Sequence, residues 1–376
     1  FMTWTFANPG FVGPPIVLRS VARGPYFGET LIPWASNAVV TPGKIVRACS
    51  REEAIAAVDA EPNSVRVVGS GHSFSTLYEA PGTSLYLNWC NEPQLLDDVD
   101  VEEVKVVGQY WDAEITEIDV TKVIRIDAGC KISTLVNFAG SHGLEVHGTG
   151  SIQLQTVGGG IGTDLHGADP WGFARYLHKL EVYTGDDGTT DTVKGPDVLK
   201  WWSAIGQRGI VLSADIHVSD ATTVVRTITN RLSWADVIDT VKRAADTDDK
   251  DVVGVMAHIT TSNFDRNAWS VAKFTDPEKT AAVPGRVEPQ GSAWTYAFDN
   301  IVIALTTVAP WIATAAPGGD AAFLSKPDGR MPWAHAQLHV VASVAATGEV
   351  AVAMENCDLA VRAIIDAATK NDVGPV

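Results

Sequence analysis

The chain has 376 residues, of which 45% are apolar and 19% charged, and its 28 basic and 45 acidic side chains leave a formal charge of −17. That composition excludes a disordered or collagen-like chain, and the acidic balance denies it the basic face of a general nucleic-acid or anionic-lipid binder. The length exceeds what one hydrophobic core ordinarily fills, so two domains are expected.

Residues Phe1 to Gly13 lack the basic start and unbroken apolar run of a signal peptide. Ser50-Arg51-Glu52-Glu53 reads as a capping box opening a helix that continues through Val58. Val65–Val68 reads as a strand running into Gly69-Ser70-Gly71-His72-Ser73-Phe74, and Ser84–Asn88 as a second strand. The stretch Asp97–Asp119 is rich in carboxylates and reads as a solvated insertion. Val123–Asp127 is the next strand, and Ser133–His142 a helix closed by Gly143. Leu144–His147 is extended, and then glycine fills seven of the twenty positions from Gly148 to Gly167. Leu180–Thr184 and Thr189–Val193 flank an Asp-Gly turn, a hairpin signal. Ile210–Val218 is a long β-prone run.

Beyond Ser219, Ser233 caps a helix from Trp234 to Ala245, ended by the acidic run Asp246–Asp251. Strands are expected at Val252–Ala257, His335–Ser343 and Glu349–Met354, loops at Gly285–Gly291 and Pro317–Gly329, and a last helix at Asp358–Lys370. The 16-residue apolar stretch Ile301–Ala316 contains Pro310. It is shorter than the roughly 20 residues that span a bilayer, so a buried element is expected. Cys49, Cys90, Cys130 and Cys357 lie far apart with no C-x-x-C pair. They are expected as reduced thiols of an intracellular protein, with no metal site.

Two glycine-rich turns leave strands about 80 residues apart. Glycine lets backbone amides approach an anion closely, so two such turns facing each other could hold a pyrophosphate. The dinucleotide pattern G-x-G-x-x-G fails at each: the sixth position is Phe74 in one and Thr163 or Leu165 in the other. No G-x-x-x-x-G-K-[ST] is present either, so Rossmann and P-loop sites are disfavoured. His72 inside the first turn brings a nucleophilic imidazole to the same place.

These residues resemble a known family, the FAD-linked oxidoreductases of the vanillyl-alcohol-oxidase type with a PCMH-type FAD-binding domain. Within it they are most similar to the sugar-1,4-lactone oxidases. The matching blocks are Trp34–Asn37 with Pro42 and Ser50–Glu53, Val65–Phe74, Ile126–Gly129, Gly150–Gly167 and Trp202–Val218. The resemblance implies an α+β fold. Its parts are an N-terminal extension (1–33), an FAD-binding domain of two subdomains (34–219), and a partial substrate-binding cap with an antiparallel sheet (220–376). It implies FAD bonded covalently to His72, with Gly69, Ser70, Gly71, Ser73 and Phe74 around the pyrophosphate. Ser151, Thr156, Gly158, Gly159, Ile161, Thr163 and His166 complete the cradle, and Ile210 lies beside the adenine half. Gly150 would face the flavin edge where oxygen reacts, which favours an oxidase.

The implied activity is oxidation of a sugar lactone or related polyol by hydride transfer to FAD, with O2 or a cytochrome-type acceptor reoxidising it. A mitochondrial or membrane-associated setting is implied first, a cytoplasmic one second. Asp164 and Leu165 stand where the family carries a small residue and a threonine. The family's proton-handling Glu–Arg pair is expected beyond Val376, so no catalytic residue is assigned. The other reading is an FAD-containing assembly subunit with little turnover, its acidic insertion and apolar 301–316 stretch serving as partner surfaces.

Overall fold

The computed structural model describes residues 2–7, 26–27, 30–31, 41–61, 64–73, 77, 82–96, 122–150, 153–167, 172–185, 188–221, 223–245, 252–258, 269–275, 329–332, 345–350 and 356–370. The expected insertion 97–119, the acidic run 246–251, the loop 285–291, the stretch 301–316 and the expected strand His335–Ser343 lie outside these residues. The chain divides into two compact units, one of residues 19–34 and 38–221, the other of 1–18, 35–37 and 222–376. Both combine helix and sheet, as an α+β chain should.

The strands run β1 (Met2–Ala7), β2 (Tyr26–Phe27), β3 (Thr30–Leu31), β4 (Lys44–Ala48), β5 (Val65–Val68), β6 (Thr83–Leu87), β7 (Gln94–Leu96), β8 (Lys122–Asp127), β9 (Leu144–Val146), β10 (Leu177–Tyr183), β11 (Thr190–Lys194) and β12 (Ile210–Asp220). The helices among them are α1 (Arg51–Ala60), α2 (Ile132–Ser141) and α3 (Val157–Gly162). In the unit built on residues 38–221, β4 and β5 both pair in parallel with β6. A larger antiparallel sheet has the order β11-β10-β12-β8-β7, with β9 on the end of β12. The two sheets share one core: Ala48, Ala54, Val58, Leu85 and Leu87 meet Ala128, Tyr183, Ile210 and Leu212.

Strand β12 shows why it is central. Ile210, Leu212, Ala214, Ile216 and Val218 alternate with Ser213, Asp215 and His217, and all eight are buried. A period of two sends these sets to opposite faces. The polar face is satisfied by charge: Arg125 donates to both Asp215 oxygens at 2.7 and 2.9 Å, and Lys179 reaches Oδ2 at 2.9 Å. Burial alone would raise the Asp215 pKa, but the bonds from Arg125 and Lys179 outweigh it and hold the carboxyl below its usual range. Beside them, Arg51 and Ser213 both donate to Glu181. The His217 ring packs edge-on against His178, centroids 4.9 Å apart.

Ser50 caps α1 as its sequence suggests, accepting from the Glu53 amide at 3.3 Å. The return bond lands one residue early, because Glu53 Oε2 accepts from the Cys49 amide at 2.8 Å. The cysteine expectation is overturned at one pair. Cys90 and Cys130 form a disulfide, their Cα atoms 4.8 Å apart, while Cys49 and Cys357 are free. The loop after β6 and the turn after β8 meet only in the fold, which no spacing of cysteines along the chain could announce. With one pair oxidised, the cysteines do not mark an intracellular setting.

The second unit carries β13 (Thr223–Leu232), α4 (Trp234–Ala245), β14 (Val252–His258), β15 (Trp269–Thr275), β16 (Gly329–Pro332), β17 (Ala345–Val350) and α5 (Cys357–Lys370). Its four-stranded sheet, ordered β14-β15-β13-β16, is antiparallel throughout. Strand β1 pairs antiparallel with β17, so residues 2–7 of the expected N-terminal extension build this unit. Ser233 Oγ caps α4 by accepting from the Asp236 amide at 3.1 Å. Buried Trp234 donates to Asp358 and so fastens α4 to α5. No helix among the described residues is long and apolar enough to cross a membrane.

Candidate functional site

The two glycine turns come together. The first leaves the C-terminal end of β5, and Gly71 takes φ +71°, a conformation that suits glycine. The second contains α3, a helix of sequence Val-Gly-Gly-Gly-Ile-Gly where the sequence suggests only a loop. Glycine is a poor helix former, so outside contacts sustain this one. Thr156 Oγ1 caps it by accepting from the Gly159 amide at 3.2 Å. Val157 and Gly158 donate to the carbonyls of Cys130 and Ala128 at 2.8 and 2.9 Å, and Gly160 donates to Thr156. A Cβ on Gly69 would stand 2.5 Å from Thr156 Oγ1, and one on Gly159 would stand 2.8 Å from the same oxygen. Only glycines allow the turns this approach.

Ser70, 7% exposed, stitches the turns by donating to the Leu154 carbonyl at 2.6 Å. Ser70 Oγ in turn accepts from Lys131 Nζ at 2.5 Å. Lys131 is the N-cap residue of α2, and its backbone bridges to Thr156. No motif marks this lysine, and reading the sequence misses it. Its only signal is its place two residues after the Ala128-Gly129 turn. Burial pulls its ammonium down to about 8.

His72 follows Gly71 with Nδ1 fully buried. Burial first, and the Lys131 charge second, lower its pKa to about 4, so the imidazole is neutral at ordinary pH. A neutral imidazole keeps a lone pair for bond formation. Ser73 is partly exposed beside it. Phe74 and Ser151 lie outside the described residues.

The remaining expected positions divide. Gly150 is buried next to Thr149, which is fully buried. The Ile161 side chain is wholly buried. Thr163 ends α3 and donates its hydroxyl back to the Gly159 carbonyl at 2.9 Å. His166 Nδ1 lies 3.4 Å from the Gly167 carbonyl. The Ile210 side chain sits in the core shared by the two sheets. The Asp164 carboxylate is aimed at Gly172, where a Cβ would meet its Oδ1 at 2.7 Å.

Segment 203–206 closes the far side. Ser203 and Ile205 donate to the Ile161 and Gly162 carbonyls, and Arg66 of β5 donates to the Ile205 carbonyl at 2.6 Å. Three buried polar atoms here have no hydrogen-bond partner among the described residues: Thr149 Oγ1, Gln155 Oε1 and Trp202 Nε1. Native folds rarely leave such groups unsatisfied. Together with a lysine that no described carboxylate meets, they suit a polar, anionic cofactor such as FAD.

Known proteins resemble the chain in sequence and in fold. The chain is 29% identical over 194 residues to D-arabinono-1,4-lactone oxidase of Saccharomyces cerevisiae, a match covering 49% of this chain and 34% of that enzyme. It is 31% identical over 110 residues to decaprenylphosphoryl-beta-D-ribose oxidase of Mycolicibacterium smegmatis, covering 27% and 24%. The matches thus span about a third or less of these relatives. No family model matches the chain. Among solved structures, a cholesterol oxidase variant from Brevibacterium sterolicum superposes with a TM-score of 0.61 at 12% identity, covering 92% of this chain and 67% of that one. A solvent-stable cholesterol oxidase gives 0.62 at 14% identity, covering 92% and 71%. The fold is theirs, and the resemblance drawn from the motifs stands.

Proposed function

We propose that this chain, related to the FAD-linked oxidoreductases of the vanillyl-alcohol-oxidase type, holds FAD between its two glycine turns and serves the oxidation of a CH–OH group in a sugar lactone or related polyol. The observation that carries the reading is the contact of Gly69 with Thr156 and Gly159, with His72 next to it on the same turn. When bound, FAD supplies the hydride acceptor, and O2 or a cytochrome-type acceptor restores it. The protein's part is to bind and orient. Gly69, Ser70 and Gly71 shape one wall; Thr156, Gly158, Gly159, Ile161 and Thr163 shape the other. His72, held neutral, is the side chain that bonds to the flavin, and Gly150 keeps the adjoining wall small enough for oxygen.

Acid precipitation of the unfolded protein tests the covalent bond. The pellet should stay yellow and fluorescent, and His72→Ala should release all flavin to the supernatant. A colourless pellet from the unaltered chain overturns the bond. The substrate class is tested without oxygen, by following flavin bleaching on addition of aldonolactones, alditols and sterols. Bleaching by sterols alone would overturn the sugar assignment.

A further inference from the structure

We propose that Lys131 is the cation that meets the pyrophosphate of the bound dinucleotide, held in place for it by Ser70. The inference rests on the reading that FAD occupies the cradle, and it assigns a residue that no motif names. Three observations carry it.

The first is position. Lys131 Nζ reaches Ser70 Oγ, in the middle of the first glycine turn, while its own backbone is bridged to Thr156 at the start of the second. The ammonium therefore lies where both walls meet. Ser70 gives its proton to the Leu154 carbonyl, so its oxygen faces Lys131 as an acceptor and fixes the lysine's reach.

The second is charge. Among the described residues, no carboxylate comes within ion-pair distance of Lys131. A half-buried ammonium without a counter-charge is costly unless an anion arrives.

The third is the use already made of the second wall's donors. The amides of Val157, Gly158, Gly159 and Gly160 all donate within the protein. The helical part of that wall, residues 157–160, contributes shape rather than free main-chain donors, which shifts the neutralising of the phosphates toward the first turn and Lys131.

The lowered ammonium pKa supports the assignment and gives it a pH signature. Among the described residues the titratable group facing Lys131 is His72, itself neutral above about pH 4. An anion bound to Lys131 favours the protonated form, so affinity should fall as pH rises through about 8 and level off near that of a variant without the charge.

The test is calorimetric titration of the full chain carrying His72→Ala, so that binding is reversible, with ADP and FAD as separate probes. Adding Lys131→Gln should weaken both about 10- to 100-fold, as expected for one lost charge-assisted bond. Lys131→Arg should bind within a few-fold of the parent and lose the fall above pH 8. Unchanged ADP binding in Lys131→Gln overturns the proposal. So does a loss confined to FAD, which would place the lysine at the ring system instead. If Lys131→Gln does not fold, Lys131→Met takes its place in the same two titrations, with unchanged ADP binding again overturning the proposal. A parent that binds neither probe overturns the FAD reading itself.

Discussion

Gly69 and Thr156 are 87 positions apart and stand in van der Waals contact: a methyl group on the glycine would come to 2.5 Å from the threonine oxygen. Gly69→Ala should therefore push the turns apart, lowering stability by about 1–3 kcal/mol and reducing flavin retention. Thr156→Ala alone should cost about 1 kcal/mol through loss of the α3 cap. Because the second change removes the oxygen that the first collides with, the double variant should be more stable than the sum of the two losses. Strict additivity in urea unfolding would show that the turns do not touch.

His217 predicts an acid-side instability. Burial, and then the neighbouring His178, lower its pKa from 6.5 to about 3, against the opposing pull of Asp215. Between these values the unfolded chain binds a proton that the folded one refuses. The stability tied to this group is therefore complete above about pH 6.5 and is lost as pH falls toward 3. The loss should reach a few kcal/mol, at about 1.4 kcal/mol per pKa unit. Urea midpoints measured from pH 7 to pH 4 should fall steeply in the parent and more gently in His217→Leu. Parallel curves would sink the assignment. In flavin-free protein His72 acts in the same direction between 6.5 and about 4.

Asp215 is buried between two partly exposed cations. Asp215→Asn should cost about 2 kcal/mol, the worth of hydrogen bonds to a charged group. Since the carboxyl pKa is lowered, that contribution is present above the normal aspartate value and fades as pH drops through it. The variant should differ from the parent at pH 7 and converge with it in acid, once the carboxyl is protonated in the folded chain as well.

The Cys90–Cys130 bridge closes a loop of sequence separation 40. Loop entropy assigns such a link about 4 kcal/mol. Cys90 is exposed, so a thiol reductant should reach it and lower the melting temperature. Cys90→Ser should reproduce the lower value and abolish the reductant's effect. A melting temperature indifferent to reductant would argue against the bridge.

Much of this was legible in the sequence because it is local. Ser50 three residues before Glu53, ahead of the apolar run Ala54–Val58, marks a helix start, and the β12 alternation states its two faces outright. The two glycine turns could be found, and their partnership follows from the family resemblance. What stayed hidden depends on distant segments meeting. The helix α3 forms against its own glycines because Thr156, Ala128 and Cys130 supply the cap and the acceptors. The disulfide needs two loops brought together by β8. Lys131 looks like any lysine at a helix start until Ser70 appears beside it.

The internal use of the Val157–Gly160 amides has a kinetic consequence. That stretch of the wall is bonded internally before any cofactor arrives, so its ordering entropy is settled during folding and not at the moment of capture. Flavin loading should then be limited by the first turn and its lysine, and variants of the second wall should fail by misfolding rather than by slow uptake.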